Sequence, residues 1–181
     1  MPPDNDALGW KTPEKFIVWA EAAGKLQLER ISTEKRDDAI VVHITRSVPD
    51  AAAIEEYYHI YGDGIIDVDF NIKVAPKAPE LIRIGMQTGI SKALVNTRFY
   101  GNGPHENYSD RNHSAFKGIH AMETDALTES YVKPQECGNR TGVEWLALKG
   151  NNGEQLKIIA KDEIAFSVWP FSQETLVSSN F

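Results

Sequence analysis

The segment RFYGNGPHENYSDRNHSAFKG, Arg98 to Gly118, gathers His105, Glu106, Asp110, Arg111 and His113 among glycines and aromatic residues, with no usable helical period. Residues of these types can do three kinds of chemistry. Glu106 and Asp110 are a candidate carboxylate pair for glycoside cleavage, which needs two carboxyl groups facing each other across a sugar. Spacing within a loop does not establish that distance. His105, His113 and His120 lie near the same acids, so a metal site comes into question. Their spacings match no helical His-Glu-His pattern and no cysteine cluster accompanies them, so no metal is expected. The third reading puts Glu106, Asp110, Arg111 and Arg140 in buried or half-buried ion pairs that hold the loop and catalyse nothing. That reading outweighs catalysis, because ion-pair networks often imitate sites.

Elsewhere the chemical signals are weaker. Cys137, in PQECGNR, is a nucleophile only beside a positioned histidine, and a lone cysteine is more often a small packed side chain. Neither a Gly-x-Ser-x-Gly elbow nor a Walker loop occurs, and GNGPHE lacks the third glycine of a dinucleotide fingerprint. Tyr100, Tyr108, Tyr131, Trp145 and Trp169 offer faces on which a pyranose can stack, against the competing expectation of core packing. His43 and His59 fall within strands, at the core edge or facing solvent. Asn107, Asn112 and Asn139 begin glycosylation sequons that read as coincidental, since no secretion signal is seen.

Positioning these residues requires a scaffold, and the pattern of the chain describes one. Thr12 and Pro13 can open a short helix that carries Phe16, Ala20 and Ala23 on one face and stops at Gly24. Everything after it reads as strand. Leu26 and Leu28 begin one strand, and Ile40, Val42 and Ile44 alternate in the next. In IIDVDFNIKV, residues Ile66, Val68, Phe70, Ile72 and Val74 share one face, and Asp67, Asp69, Asn71 and Lys73 share the other. One buried and one wet side are expected. The glycines at 62 and 64 join that strand to IEEYYHIY in a hairpin, and VEWLAL meets EQLKIIA across KGNNG in another. Ile164, Phe166 and Val168 begin a further strand. Eight or more antiparallel strands favour a sandwich, with the site on its longer loops. The longest non-periodic stretch runs from about Gly101 to about Tyr131. In it Gly101, Asn102 and Gly103 permit positive φ before Pro104 fixes the turn.

Composition closes off other classes. The chain has 181 residues, 41% of them hydrophobic, enough for one sizeable core and one domain over 1–181. Acidic residues outnumber basic ones 26 to 19, so no surface for nucleic acid is expected. A single cysteine excludes an internal disulfide and is compatible with cytoplasm or periplasm. No stretch approaches the roughly 20 apolar residues of a membrane span, and no basic segment and apolar run open the chain. A soluble chain without membrane contact is expected.

Two longer motifs then carry a resemblance. FYGNGPHENYSDR, followed by YVKPQECGNRTGVEWLAL, resembles the tandem signature of the C-terminal β-sandwich of family 2 β-galactosidases, the small chain. Tyr100, Gly101, Gly103, Pro104, Glu106, Tyr108, Asp110 and Arg111 fit its first part, and Tyr131, Pro134, Glu136, Gly138 and Arg140 its second. PPDND and GWKTPEKFIVWAEAAGKLQLE resemble the opening of the same region, so the likeness covers nearly the whole chain.

The resemblance implies an antiparallel supersandwich of the galactose mutarotase type, incomplete at its C-terminal end, with one short N-terminal helix. It implies a noncatalytic domain, because the family's two catalytic glutamates belong to an upstream (β/α)8 barrel of about 250 residues. Its partners are then the remaining domains, the barrel above all, and the galactoside of the intact enzyme; no cofactor is implied. Asp4, Asn5, Asp6, Leu8 and Gly9 become expected neighbours of the galactoside. Gly101, Gly103, Pro104, Glu106, Tyr108, Asp110, Arg111, Glu136 and Arg140 become a motif that structures the loop. The chain is expected to be an excised fragment with an added Met1, a natural split subunit being the other origin. The alternative is a stand-alone carbohydrate-binding or aldose-epimerase-like sandwich protein.

Overall fold

The computed structural model of the chain describes residues 12–81, 83–132, 136–172 and 175. Among the described residues it is all-β apart from short helical pieces, with eight strands in two four-stranded antiparallel sheets, the components that a sandwich requires. Contacts divide the chain between Met86 and Gln87 into two compact units, each built on one sheet.

In the first unit, helix α1 (Thr12–Ala20) is followed by a second helical turn, α2 (Ala22–Lys25). The sequence places Gly24 just past a single helix. Instead it lies inside α2, because the alanine-rich AEAA stretch favours continued turning past Ala20. The Trp19 indole N–H donates to the carbonyls of Pro79 and Glu80, at 3.2 and 3.1 Å, which ties α1 to the segment after the sheet. The sheet is a meander of β1 (Gln27–Lys35), β2 (Ala39–Val48), β3 (Ala52–Tyr61) and β4 (Ile66–Val74) in sequence order. A bulge at Leu28/Arg30 bends β1. Register puts Val42, Tyr58 and Val68 in one cross-strand row, so β2, β3 and β4 turn their more apolar side the same way. His43 and His59 point to the other face, where His43 stacks on Tyr57 at 4.2 Å.

The apolar side of β4 is not buried as its alternation suggests. Ile66, Val68 and Phe70 are 53%, 41% and 41% exposed, whereas Val48, Ala51 and Ala52, at one end of the sheet, are buried. A period of two assigns residues to faces, but a face is buried only where another layer covers it, and Ile40 and Ile60 of the inner strands β2 and β3 are exposed in the same row as Ile66.

The second unit holds β5 (Asn96–Gly103), β6 (Phe116–Glu123), a 3-10 turn (Thr124–Leu127), β7 (Arg140–Lys149) and β8 (Gln155–Phe166). The sheet order is β6-β5-β7-β8. Its core is Leu94, Phe99, Leu127, Val143, Leu146 and Leu148. Two differences from the sequence pattern stand out. Strand β6 lies inside the stretch that reads as loop, because apolar residues occupy both of its faces and erase the alternation. Ile164 and Phe166 do not begin a separate strand. They finish β8, where the extra residues between Ile159 and Ile164 stand opposite Glu144 alone on β7 and break the period.

Candidate functional site

The site is built where β5 leaves the sheet. Gly101 and Gly103 are strand residues and neither has positive φ, against the expectation of a left-handed turn. Glycine is needed there for space. A Cβ at Gly101 would meet Val143 Cγ2 at 2.5 Å and its Cα at 2.9 Å, so β5 and β7 approach closely only without one. A cis peptide joins Gly103 to Pro104, after which Glu106 and Asn107 turn inward; both are buried.

Glu106 is held by donors from three places. Arg111 donates at 2.6 Å, the Tyr131 hydroxyl donates to the same oxygen, and the backbone N–H of Gly138 donates to the other. Burial opposes ionisation of Glu106. The hydrogen bonds from Tyr131, Gly138 and Arg111 together outweigh it and hold the carboxyl below the usual carboxylate range. Arg111 also lies over the Tyr108 ring, 4.5 Å from its centroid. Burial and the nearby charge of Glu106 push the Tyr108 phenol upward.

Next to it, Arg140 is 1% exposed and binds three carbonyls from three segments. Nε and Nη2 donate to Pro104 O at 3.2 and 3.1 Å, and Nη1 donates to Leu127 O at 2.9 Å and Gly138 O at 2.7 Å. Burial lowers its pKa, and the charges of Glu129 and Glu106 work the other way.

Asn107, fully buried, knits the same segments together. Its amide donates to the carbonyls of Asn102 and His105, and its side-chain oxygen accepts from the N–H and hydroxyl of Thr141. Its backbone exchanges bonds with Asn139. Sequence reasoning missed this residue. The sequon at Asn107 drew attention to its glycosylation chemistry, when complete burial makes it unreachable.

The remaining candidates scatter. Asp110 is exposed and makes no hydrogen bond or ion pair among the described residues, whereas Glu106 is buried and fully engaged by donors. A carboxylate kept ionised by three donors is also poorly matched to delivering a proton to a leaving group. Among the described residues no three His, Cys, Asp or Glu side chains converge as metal ligands. His105 bonds Ser114 at 3.0 Å, while His120 bonds Phe116 O and packs on Phe99. Cys137 is buried, burial pushes its thiol upward, and its carbonyl accepts from the Trp169 indole at 2.7 Å. Glu136 adjoins this cluster in the chain. Asp4, Asn5, Asp6, Leu8, Gly9 and Pro134 lie outside the described residues. No helix among the described residues is long and apolar enough to cross a membrane.

The state of Glu106 fixes a pH response. Its folded pKa lies below that of an unfolded glutamate, about 4.3, so its contribution is present above that value and is lost as pH falls through the folded pKa. Glu106→Gln is expected to cost about 2 kcal/mol at neutral pH, the loss of hydrogen bonds to a charged acceptor. The gap between the two proteins should narrow below about pH 4. Thermal melts from neutral to acid pH check this; a gap that does not narrow contradicts it.

Comparison with known proteins places this geometry in context. The family described as β-galactosidase small chain matches residues 1–180. The chain is 28% identical over 170 residues to a β-galactosidase of Priestia megaterium, covering 93% of the chain and 16% of that protein. It is 32% identical over 177 residues to a β-galactosidase of Photobacterium profundum, covering 92% and 16%. A β-galactosidase of Actinobacillus pleuropneumoniae is 34% identical over 119 residues, 66% of the chain and 11% of that protein. The chain thus spans about a sixth, or less, of the length of these relatives.

Proposed function

Because the chain belongs to the β-galactosidase small-chain family, we propose that residues 1–181 serve as a noncatalytic domain of a larger β-galactosidase. In that enzyme the domain supports the (β/α)8 barrel and borders the site where terminal β-galactosides are hydrolysed. The observation that carries this reading is the state of the buried carboxylate in the glycine-rich segment: Glu106 is saturated with donors and kept ionised, while Asp110 turns to solvent. Coverage of 16% of a longer relative supports it, since the larger part of such an enzyme lies elsewhere. The Glu106 and Arg140 cluster then acts as a latch that fixes the loop. Asp4, Asn5, Asp6, Leu8 and Gly9 are assigned to the rim of the galactoside site on the strength of the PPDND resemblance. No cofactor enters this reading.

The purified chain is expected to release no nitrophenol from 2-nitrophenyl β-galactoside above the buffer rate. Joined to the barrel-bearing part of a β-galactosidase, it should support hydrolysis, and Asp6→Ala should then raise KM. Turnover by the chain alone, or measurable interconversion of galactose anomers, would overturn the noncatalytic reading.

A further inference from the structure

The sheet of the second unit has a face turned away from its core, and its cross-strand rows are chemically sorted. Ile119, Tyr100, Trp145 and Ile159 are paired in one row across all four strands. Ile119 and Ile159 are 57% and 70% exposed, and both rings are half-buried. The adjoining row has Arg98 between Ala121 and Ala147, and the next has Asn96 between Glu123 and Lys149. Small alanines beside larger neighbours leave an open hollow of about 400 Å³ over these two rows. A second hollow, of about 360 Å³, borders Trp145 and Ile159 on the opposite side of the aromatic row. Arg98 makes no hydrogen bond or ion pair among the described residues, so its guanidinium is available beside the rings.

We infer that this face is a docking platform for a neutral pyranoside of two or more sugar units. A pyranose is amphipathic: its C–H face packs on an aromatic ring and its hydroxyls need donors and acceptors at the edge. The sorted rows supply both, the Trp145 ring first and then Arg98, Asn96 and Glu123, which between them donate and accept. Glu123 and Lys149 carry opposite charges on either side of Asn96, which suits an uncharged ligand better than an anion. Trp145 is the ring open to a sugar: Lys157, 5.9 Å from its centroid, makes no ion pair among the described residues and can swing aside. Lys117, 5.4 Å from the Tyr100 centroid, is held over that ring by ion pairs with Glu144 and Glu163, so the Tyr100 face is covered. The inference goes beyond the function proposed above and rests on this face alone, so it holds whether or not the chain contributes to hydrolysis.

Lactose titrated into the chain, followed by amide NMR, tests it. Saturable shifts at Arg98, Tyr100, Trp145 and the Trp145 indole N–H are expected in the millimolar range, with equal glycerol giving none. Arg98→Ala should weaken binding at least tenfold at unchanged melting temperature. Ile159→Glu, at an exposed position, should do the same by crowding the Trp145 ring, and keeps the test decisive if Trp145→Ala does not fold. Absence of shifts, equal shifts with glycerol, or undiminished binding by both variants overturns the platform. So do shifts at the same residues that depend on protein concentration without sugar, which would make the face a protein contact.

Discussion

Arg140→Ala should destabilise the second unit by about 3–5 kcal/mol, because three main-chain carbonyls lose a charged donor at a cost of about 1–3 kcal/mol each where they are left without water. The guanidinium donates to Leu127 O and Gly138 O in buried bonds and to Pro104 O in part-buried ones, and each carbonyl loses its partner at once. An unsatisfied buried acceptor costs about 1–3 kcal/mol, so even partial hydration of the cavity leaves a large deficit. In thermal melts the transition should fall by roughly ten degrees or more. Arg140→Lys should recover only part of this, because an ammonium is a point donor and cannot span three carbonyls as a planar fork does. A melting temperature within two degrees of the parent would show that the clamp contributes little.

Gly138→Ala is expected to cost about 3 kcal/mol or more, by a different mechanism. Gly138 has φ +74, a left-handed conformation that costs an L-residue about 1–2 kcal/mol. Its Cβ would also stand 2.3 Å from the Leu127 carbonyl oxygen. That oxygen already accepts from Arg140, and the Gly138 N–H already donates to Glu106. Relieving the collision therefore disturbs both buried charges. The effect should show in a lowered melting temperature and in faster amide exchange at Gly138 itself. Since both substitutions strike one cluster, the double variant should cost less than the sum of the singles. Full additivity would mean that the two residues act apart.

Much of this architecture is written locally in the chain. The β4 strand follows from strict alternation between Ile66 and Val74, and two hairpins follow from their glycine turns. The same local rule fails where the chain departs from a period of two. Strand β6 carries apolar residues on both faces, and β8 has its alternation interrupted by a bulge. At the site, side-chain types put Glu106, Asp110, Arg111 and Arg140 in ion pairs; Glu106 and Arg111 do pair, whereas Asp110 has no ion pair among the described residues and Arg140 binds carbonyls instead. They did not show the work of Arg140 and Asn107. The partners of Arg140 are main-chain carbonyls, which every residue has, and most lie 13 or more residues away. A carbonyl has no signature in the sequence, so a clamp made of carbonyls is legible only after folding. Gly101 shows the converse: its type was plain, yet its reason was a close approach of β7 rather than a turn.

The two sheets also differ in how their strands are wired. In the first, each strand pairs with the next along the chain. Such a sheet can zip from one end as the polypeptide is synthesised, each new strand finding an edge already laid down. In the second, β5 pairs with both β6 and β7, and the latch around Arg140 needs Pro104, Leu127 and Gly138 together. That closure is non-local and must await emergence of Arg140–Lys149, which makes it the slower assembly step. While it waits, β5 has one side of its backbone unpaired. The nascent chain thus has an early meander and a late latch, and its exposure to misassembly is concentrated in the interval between them.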